Sequence, residues 1–235
     1  MTMRVWGVGA IIAVLAMETL AGPRLEQDLD ESVTEIAWAA KGSLTVVRGD
    51  RARLTIEAED EATLDALRIR DDDTRVSVEQ PEGDAGFFGW RKRAEAVDVR
   101  IELPALRYLE FTGSGDLQVR DFSGGELEIE IAGAADCELV ALDLALLSVV
   151  IAGAADCEVS GQARQQRIVV SGVGDYEAFD LQTEVTQVTL SGMGDVEVAV
   201  SDSLRATVSG MGSIEYAGSP EVSERISGLG SVERH

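Results

Sequence analysis

Five aspartates recur in one register of this chain: Asp116, Asp136, Asp156, Asp175 and Asp195, with Ser213 and Ser231 continuing the series. Two positions on, Glu138, Glu158, Glu177, Glu197, Glu215 and Glu233 form a second series. Ranks of carboxylates suit a hard cation with oxygen ligands, and Ca²⁺ fits that chemistry. A Ca²⁺ shell takes about six to eight oxygens, and no Asp-x-Asp cluster completes one here. The ranks equally suit a solvated acidic surface that discourages sideways sheet pairing. Cys137 and Cys157 also share a register. In an oxidising compartment they could pair as a disulfide, or they could pack as two small buried hydrophobes. Catalytic chemistry finds little to work with. The single histidine is His235, the last residue. No nucleophile elbow, phosphate loop or metal-ligand cluster is present. No catalytic, cofactor-binding or metal residues are therefore assigned.

The elements that must carry these ranks follow from a repeat. IAGAADCE occurs at 131–138 and again at 151–158. Five related segments accompany it: FTGSGDLQV (111–119), VSGVGDYEA (170–178), LSGMGDVEV (190–198), VSGMGSIEY (208–216) and ISGLGSVER (226–234). Their leading glycines, Gly113, Gly133, Gly153, Gly172, Gly192, Gly210 and Gly228, are spaced by 20, 20, 19, 20, 18 and 18 residues. Within each copy apolar and polar residues alternate, the period of a half-buried strand. Strand-like stretches such as LEIEI (127–131), LSVVI (147–151), RIVV (167–170) and QVTL (187–190) precede the glycines. Short strands returning every 18–20 residues predict an all-β fold, a parallel β-helix or solenoid whose coils stack about 4.8 Å apart. Stacked carboxylates would then repel by about 0.9 kcal/mol per pair in water, before screening. The first glycine of each pair is expected to require a missing Cβ or a positive φ. The second, replaced by Ala135 and Ala155, is expected to require only smallness.

Three further features bear on binding. Val173, Met193, Met211 and Leu229 occupy the x of GxG in four consecutive copies. If alternation holds they point outward, an apolar stripe about 14 Å long of the kind that marks an interaction surface. If the bend breaks the alternation they fill the core. The loop PEGDAGFFGWRKRAEA (81–96) holds three of the few aromatics. The chain stops just after its last repeat, so the final coil is expected to be uncapped and open to self-association.

Upstream, SLTVV (43–47), RLTIE (53–57), ALRIR (66–70), RVSVE (75–79) and VDVRIEL (97–103) read as strands, with a helical turn at 59–67. Residues 31–103 are expected to form irregular coils that cap the seven-copy solenoid of 104–235, the whole of 22–235 making one domain. Residues 1–21 read as a signal peptide: one Arg, an apolar run at Val5–Met17, and Thr19 and Ala21 at the small-residue positions. An uncleaved anchor is the alternative. The expected product is exported, with no membrane insertion after cleavage. The net charge of −23 argues against nucleic acid and anionic lipid as partners.

SLTVVRGDRARLTIEAEDEATLDAL (43–67), IELPALRYLEFTGSGDLQV (101–119) and the serial SGxGD-type repeats together resemble the putative auto-transporter adhesin, head GIN domain family. The resemblance covers residues 33–234. It implies an exported bacterial protein, periplasmic or at the cell surface, with a right-handed single-stranded β-helix and no catalytic residues to carry over. Two departures stand out: AGAA replaces SGxG at 131–138 and 151–158, and the later x positions are apolar. The expected role is a non-enzymatic adhesion or scaffold module that binds a protein, glycan or surface of the envelope. Self-association is expected through the uncapped coil or the Val173, Met193, Met211, Leu229 stripe. The alternatives are a polysaccharide-active β-helix enzyme and a calcium-binding structural solenoid.

Overall fold

The computed structural model describes residues 22–81 and 95–235. Residues 1–21, read above as a signal peptide, and residues 82–94, with Phe87, Phe88 and Trp90 of the aromatic segment, lie outside the described residues.

The period-two pattern becomes strands with one buried edge. In chain order these are β1 (Arg24–Asp28), β2 (Glu35–Ala39), β3 (Gly42–Arg48), β4 (Arg53–Ala58), β5 (Arg68–Asp72), β6 (Arg75–Glu79), β7 (Val97–Leu103), β8 (Tyr108–Phe111) and β9 (Ser114–Arg120). Then come β10 (Ser123–Ile131), β11 (Ala134–Ile151), β12 (Ala154–Val170), β13 (Tyr176–Leu190), β14 (Val196–Val208), β15 (Met211–Gly218), β16 (Glu221–Ile226) and β17 (Leu229–Arg234). One helix, α1 (Glu61–Ala66), sits where the helical turn was expected, capped by Asp60, whose carboxylate accepts from Thr63 N at 2.7 Å.

From β8 onward every coil lies parallel on the one before. Leu117, Cys137, Cys157, Tyr176, Val196, Ile214 and Val232 succeed one another at the same point of successive coils. Their offsets repeat the glycine spacings read from the sequence. The chain is a parallel β-solenoid. Each long strand bends around a corner, marked by register shifts at Leu139/Leu142 and Glu158/Gly161 and by positive φ at Ala141 (55°) and Gly161 (123°). Among the described residues a single apolar core fills the coils from Leu29 to Ile214. It includes Trp38 stacked on Phe111 with ring centroids 6.2 Å apart. One polar cluster is enclosed with it and satisfied internally. Gln166 Nε2 donates to the Tyr176 hydroxyl at 2.8 Å, and the Thr183 hydroxyl donates to Ala199 O at 2.7 Å.

The N-terminal region differs from expectation. Residues 35–48 are not irregular: β2 and β3 form a regular coil directly beneath β8 and β9, with Trp38 under Phe111 and Leu44 under Leu117. Ala40-Lys41-Gly42-Ser43 is thus an additional copy of the repeat, without the GxG wording that would reveal it. Below it lie β6 and β7, which come later in sequence, so coil order and chain order diverge. The stack ends there in antiparallel pairs, β7 with β4, β4 with β1, and β6 with β5. The strand β1 carries no strong sequence signal. Its exposed Arg24, Glu26 and Asp28 give the outer edge a charged finish.

At the other end β16 and β17 form the last coil, resting on β14 and β15. Glu224 stands in register with Ala206 and Val188, both buried in the coils below. A carboxylate thus occupies a position that earlier coils give to core residues. Among the described residues, no helix is long and apolar enough to cross a membrane.

Candidate binding surface

The corner that joins successive strands is built from the glycine pairs. At Gly192 a Cβ would lie 1.9 Å from the carbonyl oxygen of Gly172 in the coil below. That carbonyl cannot retreat freely, because it accepts from Met193 N at 3.0 Å. Close approach, rather than positive φ, is what the first glycine serves. The second glycine does more than stay small. Gly194 has φ of 143°, a conformation L side chains rarely adopt. Ala135 and Ala155 are tolerated because the backbone at those two positions lies outside the positive-φ set.

Between the two glycines the x residue is pushed outward. Val173, Met193, Met211 and Leu229 are 49%, 45%, 48% and 78% exposed. They are bridged rung to rung, and the ladder continues downward through Ala154, Ala134 and Ser114 to Lys41. Among the described residues these four are most of the large exposed apolar side chains, the others being Val185 and Ile226. The alternation therefore survives the bend, and the stripe is a surface feature. A shallow groove of about 490 Å³ runs beside it, lined by Ser171, Ser191 and Ser209, the glycines and the ladder itself.

On the ladder's other flank stands the aspartate series, exposed as expected. Three of its members have structural work. Asp156 Oδ1 accepts from Asp175 N (3.0 Å), Asp175 Oδ1 from Asp195 N (2.8 Å), and Asp195 Oδ1 from Ser213 N and Oγ (2.7 Å each). The positive-φ glycine turns these backbone donors away from the ordinary ladder, and the carboxylate below receives them. The Ser213 hydroxyl and N–H hold the Asp195 carboxyl below its usual range. The glutamate series lies one step further. Partial burial, with Glu177 and Glu215 on either side, pushes Glu197 up. Lower in the stack, Glu138, Glu158 and Glu177 line a groove of about 560 Å³ with Asp116, Asp136, Asp156 and Asp175. Among the described residues no group of three or more metal-ligating side chains converges on one point.

Cys137 and Cys157 are directly opposed in adjacent coils, buried and unbridged. A hydrogen bond with Cys137 and burial both push the Cys157 thiol up, the reverse of what a reactive cysteine needs. His235 packs its ring on Phe179 (4.7 Å between centroids), with Nδ1 3.6 Å from Glu215 Oε2. Of these features, the aspartate–amide ladder and the inward-register Glu224 were not anticipated. The serial SGxGD wording alone could have hinted at the first, since an Asp stands one coil below the residue that follows each of Gly174, Gly194 and Gly212.

A parallel β-solenoid of this kind belongs to the class of repeat proteins whose coils contact only their neighbours in the stack. The chain is a member of the putative auto-transporter adhesin, head GIN domain family, whose model matches residues 33–220. No curated protein matches it significantly. Among solved structures it is similar to a putative adhesin from Bacteroides fragilis, with 22% identity, TM-score 0.81, and coverage of 90% of this chain and 96% of that one. It is also similar to a putative lipid binding protein from Parabacteroides distasonis (20%, TM-score 0.67, coverage 90% and 96%). A putative adhesin from Parabacteroides merdae is a third (20%, TM-score 0.57, coverage 90% and 95%). At these identities the likeness concerns the fold.

Proposed function

We propose that the chain is an exported, non-enzymatic adhesion module that binds a protein or glycan of the bacterial envelope through its apolar ladder. One observation carries the reading: Val173, Met193, Met211 and Leu229 form a continuous exposed column on a surface otherwise dominated by acids. An apolar stripe held in place by paired glycines costs solubility and contributes nothing to the core, so it is best accounted for by a partner. The family and the adhesins among its structural neighbours support the adhesion class. The evenness of the carboxylates supports binding over catalysis, since an active site is a unique constellation.

The test is capture on envelope fragments by the folded chain immobilised on beads. Met193→Ser with Met211→Ser is expected to leave circular dichroism unchanged and to abolish most of the capture. Undiminished capture by the double variant overturns the reading. Release of new chain ends from a panel of acidic polysaccharides overturns its non-enzymatic part.

A further inference from the structure

We infer that the partner seated on the ladder is a second copy of this chain, packed face to face with the two solenoid axes parallel. The inference rests on the ladder being a binding surface, as argued above, and names its occupant.

Three observations carry it. The first is periodicity. The exposed columns repeat at the coil spacing of about 4.8 Å, and only a partner with that same period meets every rung alike. A second copy has it by construction.

The second is charge. Three columns run side by side: exposed Ser171, Ser191, Ser209 and Ser227; then exposed Val173, Met193, Met211 and Leu229; then exposed Asp175 and Asp195, continued by half-buried Ser213 and Ser231. A two-fold axis along the solenoid sets the serine column of one copy opposite the aspartate column of the other. A two-fold axis across the solenoid sets aspartates on aspartates, which a chain of net charge −23 resists. In the parallel arrangement Asp175 and Asp195 keep Oδ1 for the backbone of the next coil and offer Oδ2 to the partner. The hydroxyls of Ser171 and Ser191 make only long contacts of 3.4 and 3.3 Å to carbonyls of their own chain, so they are available as donors.

The third is the state of the alternative route. Stacking end to end through β16 would bring Glu224, in core register, against an incoming coil. An inward-register charge is a known way to blunt a sheet edge. The side of the solenoid carries no such guard.

The face spans a corner five residues wide and is six spacings tall from Ser114 to Leu229, at most about 13 by 29 Å per copy. That is about half or less of the area a stable dimer buries on each partner, so the dimer is weak and reversible.

Sedimentation velocity over a concentration series, with Leu229→Cys cross-linking, tests this. Parallel packing puts the two Leu229 positions opposite each other, whereas antiparallel packing separates them by about the height of the face. The native thiols are buried and do not compete. The expected result is a monomer–dimer equilibrium, efficient Leu229→Cys cross-linking, and about tenfold or greater weakening by Met193→Ser with Met211→Ser. A dimer without the cross-link overturns the parallel arrangement. A monomer at every concentration, with envelope capture still lost in the double variant, overturns the self-partner and leaves the adhesion reading standing. A monomer whose capture ignores the double variant overturns both.

Discussion

Substituting Gly192 by alanine should unfold the solenoid at a markedly lower temperature. The added Cβ would stand 1.9 Å from Gly172 O, against about 3.3 Å for a close carbon–oxygen contact. A gap of about 1.4 Å must open between two coils that the Met193 N–Gly172 O bond, at 3.0 Å, holds together. Overpacking at the upper end of its usual cost, with one hydrogen bond lost, comes to about 3–4 kcal/mol. For a chain of this size that is a fall in Tm of about 6–16 °C. Gly125→Ala is the control, because nothing lies within 4 Å of a Cβ there and φ is not positive. It should leave Tm unchanged or raise it slightly through the unfolded state. The assay is thermal unfolding followed by circular dichroism at 218 nm, roughly the wavelength of a β-sheet minimum. If Gly192→Ala melts with Gly125→Ala and the parent chain, close approach is not what the first glycine serves.

Asp195→Ala should cost about 1 kcal/mol at neutral pH, discounted for solvent exposure, because Ser213 N and Oγ lose their acceptor. The folded-state pKa of Asp195 is lowered, so its contribution is complete above the unfolded value of about 3.9 and disappears as pH falls through the folded value. Melts of parent and variant should therefore converge at the acid end. Glu197 has the opposite sign. Its raised pKa makes the charged form a cost above an unfolded value of about 4.3, relieved as pH falls through the folded value. Glu197→Gln should raise Tm slightly at pH 7 and not at pH 3, and an equal gain at both would contradict the cause given. Maleimide labelling followed by mass spectrometry should find Cys137 and Cys157 inert in the folded chain and both modified after unfolding under non-reducing conditions. Rapid labelling of the native protein would contradict their burial.

Most of the fold was legible because a solenoid writes itself in one dimension. Glycine spacings of 20, 20, 19, 20, 18 and 18 are the rung offsets of the stacked column from Leu117 to Val232. The direction of Met193 and Met211 stayed open in the sequence, because a bend at the glycine pair could have broken the alternation; their exposure shows that it did not. The coil of β2 and β3 was hidden because Ala40-Lys41-Gly42 lacks the paired glycine wording, and because its upper neighbour lies some seventy residues later. Only long-range register reveals such a partner. The aspartate–amide ladder was hidden for a different reason. An exposed Asp reads as solvated until the backbone donor displaced by the neighbouring glycine is seen beside it. The core register of Glu224 likewise shows only once its partners Ala206 and Val188 are in place.

The central claim is that the exposed ladder is the surface this protein binds with, and two methionines within it report directly. Met193 and Met211 are 45% and 48% exposed in the free chain, and peroxide converts accessible thioethers to sulfoxides. Oxidation should be followed by peptide mass spectrometry at rising protein concentration, and again on envelope fragments. The account predicts that both sulfoxides form several-fold more slowly once a partner is engaged. Oxidation of Met193 and Met211 at the free-chain rate in a demonstrably bound protein would contradict it.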